Sequence, residues 1–428
     1  MGFFEKTFRL KDHGTTVKTE VLAGFTTFMT MAYILAVNPG ILGDAGMDFG
    51  KVFTATALAS LIGTLIMAFA ANLPFALAPG MGLNAFFAYT VVIGMGKSPE
   101  FALTAVFLEG LIFILLSFFN VREAIINSIP RNIKSAISVG IGLFIAFIGL
   151  ANAGIIVTGV PLVTLGKVTE GSALLAIIGL VIAGVLLAYK VKGALFIAIV
   201  ATTIIGFPMG ITTFPGQLVS APVAPYFFDF VWTEILTFDM FTVLFVFLFV
   251  DIFDTVGTLV GVSTKAGMLT KDGKVPKAKQ ALLADAIATT VGAIFGTSTV
   301  TTYVESAAGV AEGGRTGLTS VVTAGLFGLA LFFSPLFLMI PSAATASALI
   351  LVGLFMMSPI KDINFDDFTE AIPAFLTIIM MPLAYSISEG IVFGIVAYVA
   401  LKVATRKFAD IPMLTYILAI LFIVKFFI

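Results

Sequence analysis

From residue 19 to residue 405 the chain is a succession of apolar segments, most of them close to the length of a membrane-crossing helix, joined by short polar connections. A helix needs roughly 20 apolar residues to cross the hydrocarbon core. Within lipid, backbone groups must be satisfied inside the segment or around a closed barrel. The ten-residue alternation of a barrel is not found. An all-α polytopic membrane protein is therefore expected. Composition agrees: of 428 residues, 59% are apolar and 11% charged, with mean hydropathy +1.13, whereas soluble domains carry about 25% charged residues. The charged N-terminal stretch MGFFEKTFRLKDHGTTVKTE has no cleavable apolar core, so no signal peptide is expected.

Fourteen spans are predicted, near 19–42, 52–71, 79–95, 100–119, 133–152, 171–189, 193–208, 241–263, 279–296, 299–313, 316–334, 342–358, 370–385 and 386–405. A further apolar stretch, 411–428, is long enough to be a fifteenth span or an interfacial helix. Charge tests the topology. With a cytoplasmic N-terminus, nineteen of the 23 Lys and Arg fall in inside-facing segments, Arg122, Lys134, Lys271 and Lys274 among them. Only Lys51, Lys97 and Lys167 fall outside, and Lys425 lies in the terminal stretch. This is the bias that orients helices in the cell membrane. The connection 209–240 has no Lys or Arg, as an outside loop should.

Seven spans on each side of that loop imply two halves inserted with opposite topology. Inverted repeats place a transporter's site near the bilayer midplane, between broken helices in matching positions. Here the third span of each half is the interrupted one. LPFALAPGMGLNAFFAYTVV carries Pro74, Pro79, Gly80 and Gly82, and GTSTVTTYVESAAGVAEGG has a β-branched run before Glu305. Both are expected to be discontinuous, with short extended pieces.

The candidate chemistry is acidic. Asp251 and Asp254 lie three residues apart in FTVLFVFLFVDIFDTVGTLVGV, which puts them on one helix face. Intramembrane carboxylates are costly and usually face a cavity. The Lys and Arg near span ends are assigned to the connections, so no fixed cation is expected beside these acids. They then bind protons or a donor-rich ligand. Glu305 begins a small-residue half-helix whose first amides are expected to be free for a ligand. Asn84 donates and accepts, and Phe86 or Phe87 offers a ring for stacking. Asp285 is expected in a proton route or as a core brace, Glu109 as structural. Thr26, Thr27, Thr30 and Tyr33 line one region of the first span. Zero cysteines and a single histidine, His13, in the polar tail argue against metal centres and catalytic triads. Net charge −1 offers no nucleic-acid face.

TTFMTMAYILAVNPGIL, LAPGMGLNAFF, FVDIFDTVGTLVG and TTYVESAAGVAEGGRTGLTS resemble the AzgA-like branch of the nucleobase–cation symporter-2 family, the hypoxanthine/guanine and adenine permeases. The resemblance extends from about residue 5 to about 400. It implies a seven-plus-seven inverted repeat with a core domain (19–119 and 241–334) and a gate domain (120–208 and 335–408). Around these lie a cytoplasmic tail (1–18), the outside loop (209–240) and a C-terminal apolar helix (409–428). It also implies no cofactor, a coupling proton or sodium ion, and frequent homodimers. The family's eighth-span acid aligns with Asp254, with Asp251 as companion. Its tenth-span acid or amide aligns with Glu305, and the third-span polar residue with Asn84. Thr258 stands where uracil permeases have a histidine, so coupling would rest on Asp254, Asp251 and Asp285 or on another ion.

A carboxylate accepts a pair of parallel donors well. Glu305 is therefore expected to hold N1–H and the amino group of guanine, or N1–H of hypoxanthine. Asp254 would take the opposite edge or the coupling proton, and Asn84 would distinguish a 6-oxo from a 6-amino group. Asp251, Thr27 and Phe86 complete the expected substrate contacts. Three other readings compete. An anion carrier of similar architecture should show a cationic cradle, a channel needs a symmetric ring of acids, and an enzyme needs a nucleophile or metal cluster.

Overall fold

The structure, a computed structural model, describes residues 3–118, 130–160, 162–265, 267–269 and 275–425. Arg122, Lys271 and Lys274 of the charge argument, and the expected core–gate boundary at 119/120, lie outside the described residues. In chain order the helices are α1 (Phe3–Phe8), α2 (Val17–Met31), α3 (Ile34–Asp44), α4 (Phe49–Ile66), α5 (Met81–Ala85) and α6 (Pro99–Phe118). Then come α7 (Arg131–Asn152), α8 (Gly171–Ala188), α9 (Ala194–Gly206), α10 (Phe238–Lys265), α11 (Ala278–Phe295) and α12 (Ser306–Ala311). The remainder are α13 (Gly317–Ala330), α14 (Ser334–Leu338), α15 (Ser342–Met356), α16 (Phe368–Leu383), α17 (Ile387–Ala404) and α18 (Met413–Lys425). The strands are β1 (Leu77–Pro79), β2 (Ile156–Thr158), β3 (Val163–Leu165) and β4 (Val300–Thr302). Among the described residues ten helical runs are long and apolar enough to cross a bilayer, and shorter apolar helices accompany them. The protein is a multi-pass, all-α membrane protein.

Two packing groups account for most of the helices. In one, α11 packs on α4 and α6, α13 on α2 and α4, and α12 on α2. In the other, α7 packs on α15 and α16, α16 on α17, and α8 on α9 and α15. Small residues permit the close crossings, as is usual where lipid supplies no hydrophobic drive. A Cβ at Gly142 of α7 would come 2.6 Å from the Gly353 carbonyl oxygen of α15. In the first group Glu20, fully buried, caps α13: its carboxylate accepts from the Thr319 amide at 3.1 Å and the Thr319 hydroxyl at 2.6 Å. That places a negative charge at a helix N-terminus, where it is favoured.

The two interrupted segments meet. β1 and β4 pair antiparallel, Leu77 opposite Thr302, Ala78 opposite Thr301 and Pro79 opposite Val300. Each strand leads into a short helix, β1 into α5 and β4 into α12. The predicted tenth span, 299–313, is therefore a strand followed by a six-residue helix, too short to cross a bilayer by itself. After α5 the chain continues as a π-helical stretch, Phe86–Gly94. At the C-terminus α18 has 13 residues, a rise of about 20 Å, short of a core about 30 Å thick. It packs on α17, and Phe422 meets Phe245 of α10 edge-on at 5.9 Å.

Candidate substrate site

Glu305 is held where it is by the crossed strands. Thr301 fits opposite β1 because position 80 is glycine; a Cβ there would stand 2.7 Å from the Thr301 methyl. The Gly80 amide donates to the Thr299 carbonyl at 2.9 Å, and the Tyr303 amide to the Ala76 carbonyl at 2.9 Å. The Tyr303 hydroxyl donates to the Pro79 carbonyl. Two residues on, the Glu305 carboxylate accepts from the Tyr33 hydroxyl at 2.7 Å, and its carbonyl from the Thr30 hydroxyl at 3.4 Å. The first-span hydroxyls Thr30 and Tyr33 thus bridge α2 and the chain beyond it to the start of α12. One expectation needs correcting. The amides of Ser306, Ala307 and Ala308 already bond the carbonyls of Tyr303, Val304 and Glu305. The half-helix therefore does not present them free to a ligand.

Asp254 and Glu305 share a cleft of about 440 Å³, a usual size for a small-molecule site. Its walls also include Gly82, Thr258, Ser138 and Lys134. Both acids are half-buried. Among the described residues no group donates to Asp254, so its acceptor capacity is turned to the cleft. Thr258, one turn further along α10, also contributes to the wall.

The other expected site residues lie elsewhere. Asn84 is fully buried and off the cleft wall; its amide reaches the Pro79 carbonyl at 3.4 Å, while Oδ1 has no partner among the described residues. Phe86 is buried against Phe247, edge-on at 4.8 Å, and shows no face to the cleft. Thr27 is buried beside Gly309 of α12. Asp251 and Asp285 are fully buried behind the cleft among threonine hydroxyls.

The expected absence of intramembrane cations also needs correcting. Lys134 lies in the first turn of α7 and lines the cleft mouth. Lys402, within α17, is 2% exposed and pairs with Glu370 at 2.7 Å and Asp410 at 3.2 Å. Ser135 and Ser138, on the cleft wall, were not singled out from sequence. Their signal is faint: two hydroxyls three apart on a face of an apolar span.

Toward the other end of α7 a polar cluster ties three elements together. Tyr89 donates to Asp44 Oδ2 at 2.6 Å, and Asn152 donates to the same oxygen at 3.1 Å and to the Tyr89 hydroxyl at 3.2 Å. Tyr385 covers this cluster, with ring centroids 6.0 Å from Tyr89 and 5.4 Å from Phe144. Asn152 and Lys134 are at opposite ends of α7, separated by about 27 Å of helix rise. The cleft and this cluster, a candidate latch, lie toward opposite ends of α7.

Residues 18–419 match the family profile Xan_ur_permease, described as a permease family. The adenine permease AdeP of Escherichia coli is 46% identical, over 99% of this chain and 96% of its own. The guanine/hypoxanthine permease PbuO of Bacillus subtilis is also 46% identical, over 98% of this chain and 100% of its own. The chain belongs to the nucleobase–cation symporter-2 family. This member of the family is a secondary transporter rather than an enzyme. Its fold is shared more widely. The transmembrane domain of a cyanobacterium bicarbonate transporter, BicA, superposes with TM-score 0.67 at 17% identity, over 87% of this chain and 97% of that one. The fold alone therefore does not separate a nucleobase–cation symporter-2 member from an anion carrier. The family match does, and it is needed, because Lys134 removes the argument from a cation-free interior.

Proposed function

We propose that the chain imports purine nucleobases by proton symport across the cell membrane. One observation carries this reading: two half-buried carboxylates, Asp254 and Glu305, in one cleft of a nucleobase–cation symporter-2 protein. Glu305, steadied by Tyr33, takes the parallel N–H donors of a purine edge. Asp254 and Thr258 take the opposite edge. Asn84 lies outside the contact set in this state and bears on selectivity through the β1–α5 turn. Identity does not choose the purine, because the adenine and guanine/hypoxanthine relatives are equally similar.

The seven-plus-seven arrangement is part of the proposal. The two packing groups of helices correspond to core and gate, and the β1–α5 and β4–α12 elements are the mirrored breaks in the third and tenth spans. With the N-terminus in the cytoplasm, as the Lys and Arg distribution favours, the Lys134 mouth faces inward and the Tyr89–Asp44 latch outward. The described conformation is then the inward-open one. Association as a homodimer follows from the family resemblance.

The test is competitive uptake into proteoliposomes. Labelled hypoxanthine is offered against adenine, guanine, xanthine and uracil at two external pH values. Purine-selective accumulation that collapses with a protonophore is expected. Uptake that no purine competes, or accumulation that survives the protonophore, would refute the reading.

A further inference from the structure

Behind the cleft, α6, α10 and α11 converge on the extended run that leads to Glu305. Three acids meet there: Glu109 from α6, Asp251 from α10 and Asp285 from α11, each fully buried. Threonines of the run serve them. Thr299 donates to Glu109 Oε2 at 2.7 Å, and Thr302 to Asp285 Oδ1 at 3.2 Å. Thr255 stands 2.9 Å from Asp285 Oδ2, 3.4 Å from Asp251 Oδ1 and 2.7 Å from the Thr301 hydroxyl. A hydroxyl has one proton to give, so Thr255 cannot serve both acids at once.

Glu109 supplies the deciding detail. Its second oxygen, Oε1, is buried and receives no donor among the described residues. Among the described residues the acids that act on Glu109 are Asp251, beside it, and Asp285. Among the described residues no Lys, Arg or His forms an ion pair with it. Two ionised carboxylates are both acceptors and cannot hydrogen-bond; one proton between them makes the bond. Bare carboxylates in a low-dielectric interior each cost several kcal/mol, and a facing pair cannot both stay charged. The cluster is not a metal cage: among the described residues no three His, Cys, Asp or Glu are arranged to hold an ion.

We propose that Glu109 and Asp251 share a single proton, and that this is the proton the transporter couples to its substrate. The second half of the statement rests on the symport reading above; the first does not. Only O–H bonds change: the proton is taken up between the two carboxyls on one side of the membrane and released from them on the other. Asp254, about 4.5 Å along α10, faces the cleft and gives the proton a way to water. Its loss leaves two like charges in contact and pushes Glu109 from Asp251. Thr299 ties Glu109 to the run that presents Glu305, so the proton is felt at the substrate carboxylate without touching the substrate.

The full chain in liposomes tests both halves. Infrared spectra of the wild type at neutral pH are expected to contain a protonated-carboxyl band, removed by Glu109→Gln and separately by Asp251→Asn. Glu109→Asp, which keeps a carboxyl, should restore it and serves as the control for misfolding. No such band in the wild type, or one that survives both amides, overturns the shared proton whatever the chain transports. Under an imposed pH gradient, Glu109→Gln is expected to bind hypoxanthine or adenine within about threefold of wild type. It should equilibrate the purine and no longer concentrate it. Gradient-driven accumulation by Glu109→Gln, or accumulation by the wild type that follows sodium, overturns the coupling role. If the wild type concentrates no purine yet the band behaves as stated, the symport reading falls and the proton pair stands.

Discussion

Asp251 and Asp254 are the same residue type, three positions apart on one helix, and they have opposite surroundings. Asp254 is half-buried, lines the cleft and receives no donor from a described residue. Asp251 is sealed, beside Thr255 and within reach of Glu109. One helical turn separates a carboxylate open to a ligand from a carboxylate packed among other acids. The strand β4 runs between the two settings, with threonines reaching the sealed acids and Glu305 opening on the cleft. Under the proposed mechanism, substrate binding and proton binding occupy adjacent layers of one element, an economical way to make each sense the other.

The comparison breaks most sharply at Glu305. Glu305→Gln keeps the Tyr33 bond but loses the charge-assisted pair to the purine. A hydrogen bond to a charged group contributes roughly 1.5–3 kcal/mol, so affinity should fall about 10- to 150-fold in an equilibrium titration. Wild-type affinity for guanine and hypoxanthine in this variant would remove Glu305 from the site.

Next come the two aspartates themselves. Asp254→Asn should weaken purine binding about tenfold, as the loss of one charged acceptor predicts. Asp251→Asn should instead impair gradient-driven accumulation and shift affinity by less than about threefold. Binding titrations and uptake on the same preparations decide it. Equal losses of affinity in both variants would mean that the two layers are not separate.

A smaller effect is expected at the latch. Tyr89→Phe removes the donor to Asp44 and the acceptor for Asn152, and because Asp44 and Asn152 are exposed this costs about 0.5–1 kcal/mol of closure. The chain has no native cysteine, so Ser138→Cys on the cleft wall reports access cleanly. An impermeant thiol reagent applied at the Asp44 end should label it faster in the Tyr89→Phe background, and saturating purine should modulate the rate. Unchanged labelling would show that other contacts hold that end shut.

How much of this was legible in the sequence depends on whether the cause is local. The long spans follow from hydropathy within one segment, and helices form where the apolar runs predicted them. The tenth span departs because its Thr/Val run finds a partner more than 200 residues away, Ala78 opposite Thr301. Gly, Pro and β-branched residues mark such a break but do not name what it pairs with. Asp254 and Glu305 were found because an acid in an apolar run is conspicuous. Glu109 is equally conspicuous, but its neighbours come from other elements and no local signal names them. Lys134 was counted with a polar connection because a sequence does not say which face of a first helical turn meets a cavity. Asn84 and Phe86 carry chemistry that suits a purine, yet the turn after β1 directs both into the interior.

Phe86 gives the smallest and most discriminating test. A ring that stacked on the base would contribute to affinity directly, and its loss would be felt there first. In the structure the ring packs edge-on against Phe247, 1% exposed. Phe86→Leu should therefore lower stability by the lost edge-to-face contact, about 0.5–1.5 kcal/mol, and leave purine affinity within about twofold. Thermal unfolding in detergent and a binding titration separate the two effects. A large loss of affinity with unchanged melting would put Phe86 against the substrate. It would also mean that the binding layer extends deeper into the turn after β1 than the cleft does in this conformation.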